Sequence, residues 1–269
     1  MLNFNEPYFI RALISVIFAA ISCSVIGVIL INMRLSFLGV CMSHSAFVGV
    51  LIGLLIGVNP IICAFAVTLI AAGILGPMSD KGKLAPDTAV GILFSSSLGI
   101  AFIIMKFLPV SNSEALGYLW GSILSMTDEN VYALVLTGII TCLLLWIFYR
   151  YIIILIFNRN LALTLGIPTK PIFYGIIIFC GLITTVSLST IGGILVFSLI
   201  LNPAAGASQL TNSIKIMFFI AIALAITSGI VGILLAWVFD LPVGASVVIA
   251  STISYLICYT FGKKNKELK

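Results

Sequence analysis

The sequence predicts an all-α, polytopic integral membrane protein of eight or nine transmembrane helices, and three observations carry that prediction. Of 269 residues, 62% are hydrophobic and 8% charged, too few charges to cover the surface of a water-soluble fold. Uncharged runs cover residues 12–33, 35–79, 88–105, 131–149, 171–214, 216–239 and 241–262, and each approaches or exceeds the ~20 residues that a helix needs to cross a bilayer. Two of these runs are about twice that length. Residues 35–79 turn at Gly57-Val58-Asn59-Pro60, and residues 171–214 break near Gly192-Gly193. That gives nine spans, or eight if the second double run contains a half-helix. Residues 1–262 form one transmembrane domain and residues 263–269 a basic tail, with no soluble module attached.

The first apolar run follows Glu6 and Arg11 and leads into a second span without a small-residue cleavage site, so it reads as a retained anchor. All six cysteines fall inside predicted spans, which is not the pattern of an extracellular disulfide framework. Loop charge sets orientation. Arg34, then Lys81 and Lys83, then Arg150, Arg159 and Lys170, then Lys215 and finally the lysine tail alternate with nine spans and belong on the cytoplasmic side. Intervening loops are poor in positive charge, so the amino terminus faces outward and the carboxyl terminus inward. Arg11 is the exception, lying on the outer side. The net charge of +5 is thereby assigned to topology and does not advertise nucleic-acid binding. Between the fourth and fifth spans, residues 112–126 carry Leu116, Tyr118, Leu119, Trp120, Ile123 and Leu124 on an apolar face, which predicts a re-entrant or surface helix, or an interfacial connector.

His44 is the single histidine, and it lies within the uncharged run 35–79. Ten helical residues separate it from Arg34, or roughly 15 Å, about half of a ~30 Å hydrocarbon core. A titratable ring at that depth is costly unless it is used, which suggests a passage for an ion. Cys41, three residues earlier, is able to present sulfur to the same cation. The alternative is that His44 hydrogen-bonds a neighbouring hydroxyl or carbonyl while Cys41 only packs. Intervals of four from Cys41 give Ser45, Gly49, Gly53 and Gly57, a ladder of small side chains that lets another backbone approach closely. Two ligands do not make a metal site, but a second copy across a two-fold axis would supply two imidazoles and two thiols.

On the cytoplasmic side, residues 157–170 predict a short helix with both ends marked. Asn158 or Asn160 serves as N-cap, Gly166 stops the helix and Pro168 lies just beyond. Leu161, Leu165 and Ile167 are its apolar anchors, fit to dock into a partner's groove or simply to hold an interfacial loop.

Several separated segments resemble the membrane subunits of the manganese, zinc and iron class of ATP-binding-cassette importers. They are Arg34-Leu35-Ser36-Phe37-Leu38-Gly39 with Ser43-His44 and Gly49; Asp87-Thr88-Ala89-Val90-Gly91-Ile92 with Phe94-Ser95; Leu161-Ala162 with Gly166-Ile167-Pro168; Gly193-Ile194-Leu195-Val196 leading to Pro203-Ala204-Ala205; and Asp240-Leu241-Pro242-Val243-Gly244. Their order and spacing run over nearly the full length. The resemblance implies a permease-type bundle in the bacterial plasma membrane. It implies a homodimer, with two cytoplasmic ATPase subunits docked on a coupling element that includes Asn158, Leu161, Ala162, Leu165, Gly166 and Pro168. An extracytoplasmic metal-binding protein would deliver a divalent ion, zinc or manganese or iron, as transported substrate and not as a resident cofactor.

The family's aspartate four residues before the histidine is Val40 here, which removes a hard oxygen ligand and favours a softer ion at His44. The chain carries no Gly-x-x-x-x-Gly-Lys-Ser/Thr loop and no cluster of carboxylates, so it is not expected to be an enzyme itself. A secondary transporter or metal-ion channel working without an ATPase is the alternative.

Overall fold

A computed structural model describes residues 7–80, 85–121, 127–157 and 159–262. Asn158, Lys81, Lys83, residues 122–126 and the tail 263–269 lie outside the described residues. Eleven helices follow in order among those described: α1 Pro7–Asn32, α2 Leu38–Ile56, α3 Pro60–Asp80, α4 Pro86–Met105, α5 Asn112–Trp120, α6 Asp128–Phe157, α7 Arg159–Thr164, α8 Thr169–Ile191, α9 Gly193–Leu210, α10 Ile214–Phe239 and α11 Val243–Phe261. All but α5 and α7 are long and apolar enough to cross a membrane, nine in all among the described residues. The expectation of eight or nine therefore resolves to nine, because Gly193–Leu210 is a full 18-residue helix.

The centre of the bundle is α1, which packs against α6, α9 and α10, while α9, α10 and α11 form a second tight group. Burial follows this arrangement. Val16, Ala19, Ala20, Cys23 and Val28 of α1 are fully enclosed, whereas Phe102 of α4 and Trp146 of α6 are 64% and 80% exposed on the outer surface. Large apolar groups outside and small residues inside are the reverse of a soluble protein and the ordinary pattern for a bundle bathed in lipid, where close backbone packing replaces the hydrophobic drive between helices.

Hydroxyl and amide pairs join the spans. Thr68 of α3 meets Thr185 of α8 at 3.1 Å, Asn202 of α9 donates to Ser251 and Thr252 of α11 at 3.0 and 3.1 Å, and Ser228 of α10 donates to Ser254 of α11 at 3.0 Å. Each such bond is worth about 0.6 kcal/mol in a membrane bundle.

Helix ends are set by left-handed residues. After α2, Gly57 has φ +71° and Val58 N–H donates to Gly53 O at 3.0 Å. Beyond α1, Arg34 takes the same role with φ +58°, and Leu35 N–H donates to Leu30 O at 2.8 Å. This closing loop bonds the last free carbonyls of the helix and redirects the chain within a few residues. Pro60 then opens α3 immediately after the turn, as the Gly57-Val58-Asn59-Pro60 sequence predicts.

Candidate functional site

His44 lies on the second turn of α2, half-buried, with its ring edge-on to Phe94 of α4 at 5.0 Å between centroids and 78° between planes. Its Nδ1 is buried and has no hydrogen-bond partner among the described residues. An unsatisfied ring nitrogen in an apolar span is costly, so the hydrogen-bonded alternative weighed from the sequence is not what the fold provides at that atom. Val40, one turn earlier on the same face, is likewise half-buried, and Phe37 beyond it is 61% exposed.

Cys41 is placed differently. It is fully enclosed in the core formed with α1 and α8, while His44 keeps part of its surface open. Among the described residues no group of three or more His, Cys, Asp or Glu side chains comes together to hold a metal ion. Cys41 is thus placed in the core and His44 at its edge, and one chain brings no third ligating side chain to them among the described residues.

The small-residue ladder faces the chain's own α3. A Cβ on Gly49 would sit 2.5 Å from the Ala64 Cα and the Cys63 carbonyl oxygen, and one on Gly53 would sit 2.7 Å from the Pro60 Cα. Ser45 instead turns to α4, where its hydroxyl meets that of Ser97 at 3.1 Å, and it also donates to Cys41 O at 2.9 Å. Gly57 has nothing within 4 Å of a Cβ and acts as the α2 cap. Tight packing is thus real at Gly49 and Gly53, but it is intramolecular, and His44 is offset from it toward α4.

Beside the same turn of α2 lies the break between α8 and α9. A Cβ on Gly193 would sit 2.6 Å from Ser43 Oγ and 3.4 Å from a methyl of Leu119 in α5. Gly192, at φ +90°, and Gly121, at φ +73°, meet backbone to backbone: a Cβ on either would collide with the other's peptide. The short helix α5, with Ala115 buried, packs on α2, α8 and α9 and so enters the bundle. That favours the re-entrant form among those the sequence allows. Non-helical backbone inside a membrane protein is tolerated where protein or a water-filled path surrounds it, and such breaks flank transport sites in other folds. The Gly192-Gly193 pair signals the break in the sequence. Neither Gly121 as its mate nor Phe94 as the neighbour of His44 has a local signature.

At the other end, α7 is held between α6 and α8. Gly166 has φ +73°, its N–H donates to Leu163 O at 3.0 Å, and Ile167 N–H donates to Ala162 O at 3.0 Å, the paired closure expected of a helix-stopping glycine. Ala162 is fully buried, whereas Leu163 and Leu165 are 55% and 61% exposed and Pro168 is exposed.

Comparison with known proteins gives concordant matches. The model of the ABC 3 transport family matches residues 5–262. The manganese transport system membrane protein MntC of Listeria monocytogenes is 30% identical, covering 94% of this chain and 90% of its own length. The manganese import system permease protein ScaB of Streptococcus gordonii is 27% identical, covering 96% and 93% respectively. Among solved structures, PsaBC from Streptococcus pneumoniae in complex with Fab superposes with a TM-score of 0.86 at 27% identity, covering 98% of this chain and 95% of that one. An inward-facing metal-chelate type ABC transporter shares the fold alone, with a TM-score of 0.75 at 13% identity. With the match running across every described span, the chain belongs to the ABC 3 transport family, as a membrane permease of that family.

Proposed function

We propose that this chain is the membrane-spanning subunit of an ATP-driven importer for a divalent first-row transition metal ion, and that two copies form the pathway. The observation that carries this reading is the half-buried His44, with an unpartnered Nδ1, beside the α8/α9 break. A neutral imidazole suits zinc, and relatives named as manganese permeases support manganese as cargo. Val40, in place of a carboxylate, leaves fewer oxygen donors for the harder ion.

The homodimer is supported by α4. Asp87, Gly91, Ser95 and Gly99 follow one another at intervals of four, all exposed, and a Cβ at Gly91 or Gly99 meets nothing within 4 Å in this chain. Small and polar residues facing hydrocarbon would be wasted, while at a helix interface they allow close approach. Phe94 ties that helix to His44, so a seam along α2 and α4 brings two imidazoles toward each other.

In this mechanism the permease contributes geometry. ATP-driven closure of separate ATPase subunits is received at α7, with Leu163, Leu165 and Pro168 as its exposed surface and Ala162 as its buried foot. Because α7 hangs between α6 and α8, and α8 ends at the break beside His44, displacement at α7 has a continuous helical route to the site. An extracytoplasmic binding protein delivers the ion to the end that carries α5. The expected residence is the bacterial plasma membrane, with the carboxyl terminus cytoplasmic.

The test is uptake of radiolabelled manganese and zinc by vesicles containing the permease, its ATPase and the binding protein. ATP-dependent uptake by the parent and its loss in His44→Ala, with assembly intact, supports the reading. Parental uptake in His44→Ala, or uptake driven by an ion gradient in this chain alone, overturns it.

A further inference from the structure

Away from His44, an apolar groove of about 440 Å³ runs between α1, α6 and α8. Ile26, Ile152 and Ile176 form its buried floor, while Phe148 and Ile178 on its rim are 43% and 37% exposed. Gly175, also exposed, completes the rim, so the groove opens sideways onto the outer surface of the bundle. The single hydroxyl in its lining, on Thr141, donates to Thr137 O at 2.7 Å. Water entering such a space finds no partner for its own hydrogen bonds, and a cavity of this kind stays dry or takes an apolar occupant.

We propose that this groove binds one acyl chain of an anionic phospholipid, with the headgroup at the basic ends of the three helices. Volume supports a chain: at about 30 Å³ for each group of water or methylene size, the groove holds roughly fifteen of them. Charge supports the headgroup. Arg34 follows α1 and Lys170 lies in the first turn of α8, at the end of the bundle where the groove-lining Pro168 and Pro171 sit, while Arg150, two residues from Phe148 and Ile152, lies toward the same end on another face of α6. From residue 130 to residue 239 the sequence contains no Asp or Glu; Asp80, which closes α3, and Asp87, in the first turn of α4, stand at the same end of the bundle. Basic residues at one end of an apolar slot are complementary to an anionic lipid at both of its ends. The site lies between the two helices that hold α7, so an inserted chain fixes their separation.

Gly175 supplies the test, because a Cβ there meets nothing within 4 Å. Gly175→Ala is a control that leaves the groove open, and Gly175→Trp puts an indole at its rim from a position where the Cβ is free. Full-length chain in membranes of phosphatidylethanolamine and phosphatidylglycerol is extracted in mild detergent, and retained lipid is counted by native mass spectrometry. Parent and Gly175→Ala are expected to keep phosphatidylglycerol, and Gly175→Trp to lose about tenfold of it once the slot is occupied. Equal retention in all three, no retention by the parent, or preferential retention of phosphatidylethanolamine overturns the proposal.

A second measurement uses the parent alone, with phosphatidylglycerol carrying a diazirine in its acyl chain. Labelling concentrated on Phe148, Ile172 and Phe179 over exposed Phe102 supports the groove. Uniform labelling, or protection of those residues by a second protein segment, overturns it.

Discussion

Arg11 of α1 and Asp128 of α6, 117 residues apart, form a two-pronged ion pair, with Nε to Oδ1 at 2.7 Å and Nη2 to Oδ2 at 2.8 Å. This pair accounts for a basic residue on the side of the bundle that is otherwise poor in positive charge. The guanidinium is answered by a carboxylate at the opening turn of the neighbouring helix, and both helices start on the same face. Asp128 also stands among the free N–H groups of α6, where negative charge is favoured.

The side chains of that pair are 39% and 62% exposed, so solvent screens much of their attraction. A double-mutant cycle of Arg11→Ala and Asp128→Ala is expected to give a coupling of about 0.2–1 kcal/mol. Chemical unfolding in detergent reads it. Full additivity of the two variants would show that the pair does not couple α1 to α6.

Gly49 and Gly57 belong to one ladder but answer to different physics. Gly49→Leu drives a side chain into the α3 backbone and is expected to cost about 1–3 kcal/mol, with loss of a sharp peak in size-exclusion chromatography. Gly57→Ala meets open space and bears only the left-handed backbone, about 1–2 kcal/mol, while Gly57→Asn is better tolerated. Because a Cβ alone already meets that backbone, Gly49→Ala is expected to destabilise as well, and parental stability in Gly49→Ala would speak against a backbone contact.

Restoring a carboxylate one turn before His44 tests the link between donor set and cargo. Val40→Asp is expected to raise manganese-stimulated ATP turnover severalfold relative to zinc in the reconstituted complex, since oxygen ligands suit the harder ion. An unchanged ratio of the two ions would remove position 40 from the pathway.

Ala162 is enclosed where α7 meets its neighbours, so Ala162→Arg has no room for its side chain. ATP hydrolysis is expected to continue while metal uptake per ATP falls about tenfold or more, the mark of lost transmission between rigid elements. Liposome assays measuring phosphate release and metal uptake together decide it. Coupled uptake at the parental ratio would place the ATPase contact elsewhere.

Much of the fold was legible because charge is so sparse that every interruption of an apolar run marks a loop. The turn at residues 57–60, the break at residues 192–193 and the stop at Gly166 each show as local chemistry, and each lies where that chemistry puts it. The site was legible only in part. His44 stands out because a lone imidazole in a span is rare, yet nothing near it in the chain names Phe94, 50 residues on, as its neighbour. The ladder through Gly49 shows that some backbone comes close, but periodicity cannot tell a neighbouring helix from a second copy, and here it is α3. Cys41 and His44, three residues apart, still differ by some 60° around the axis, enough to put the first in the core and leave the second at its edge.

Gly121 and Gly192 touch with no side chain between them, so the joint has nothing that can rotate or compress to absorb a shift. It is a butt joint, backbone against backbone. A displacement of the α5 tip against the α8/α9 junction must therefore carry the two backbones together or part them.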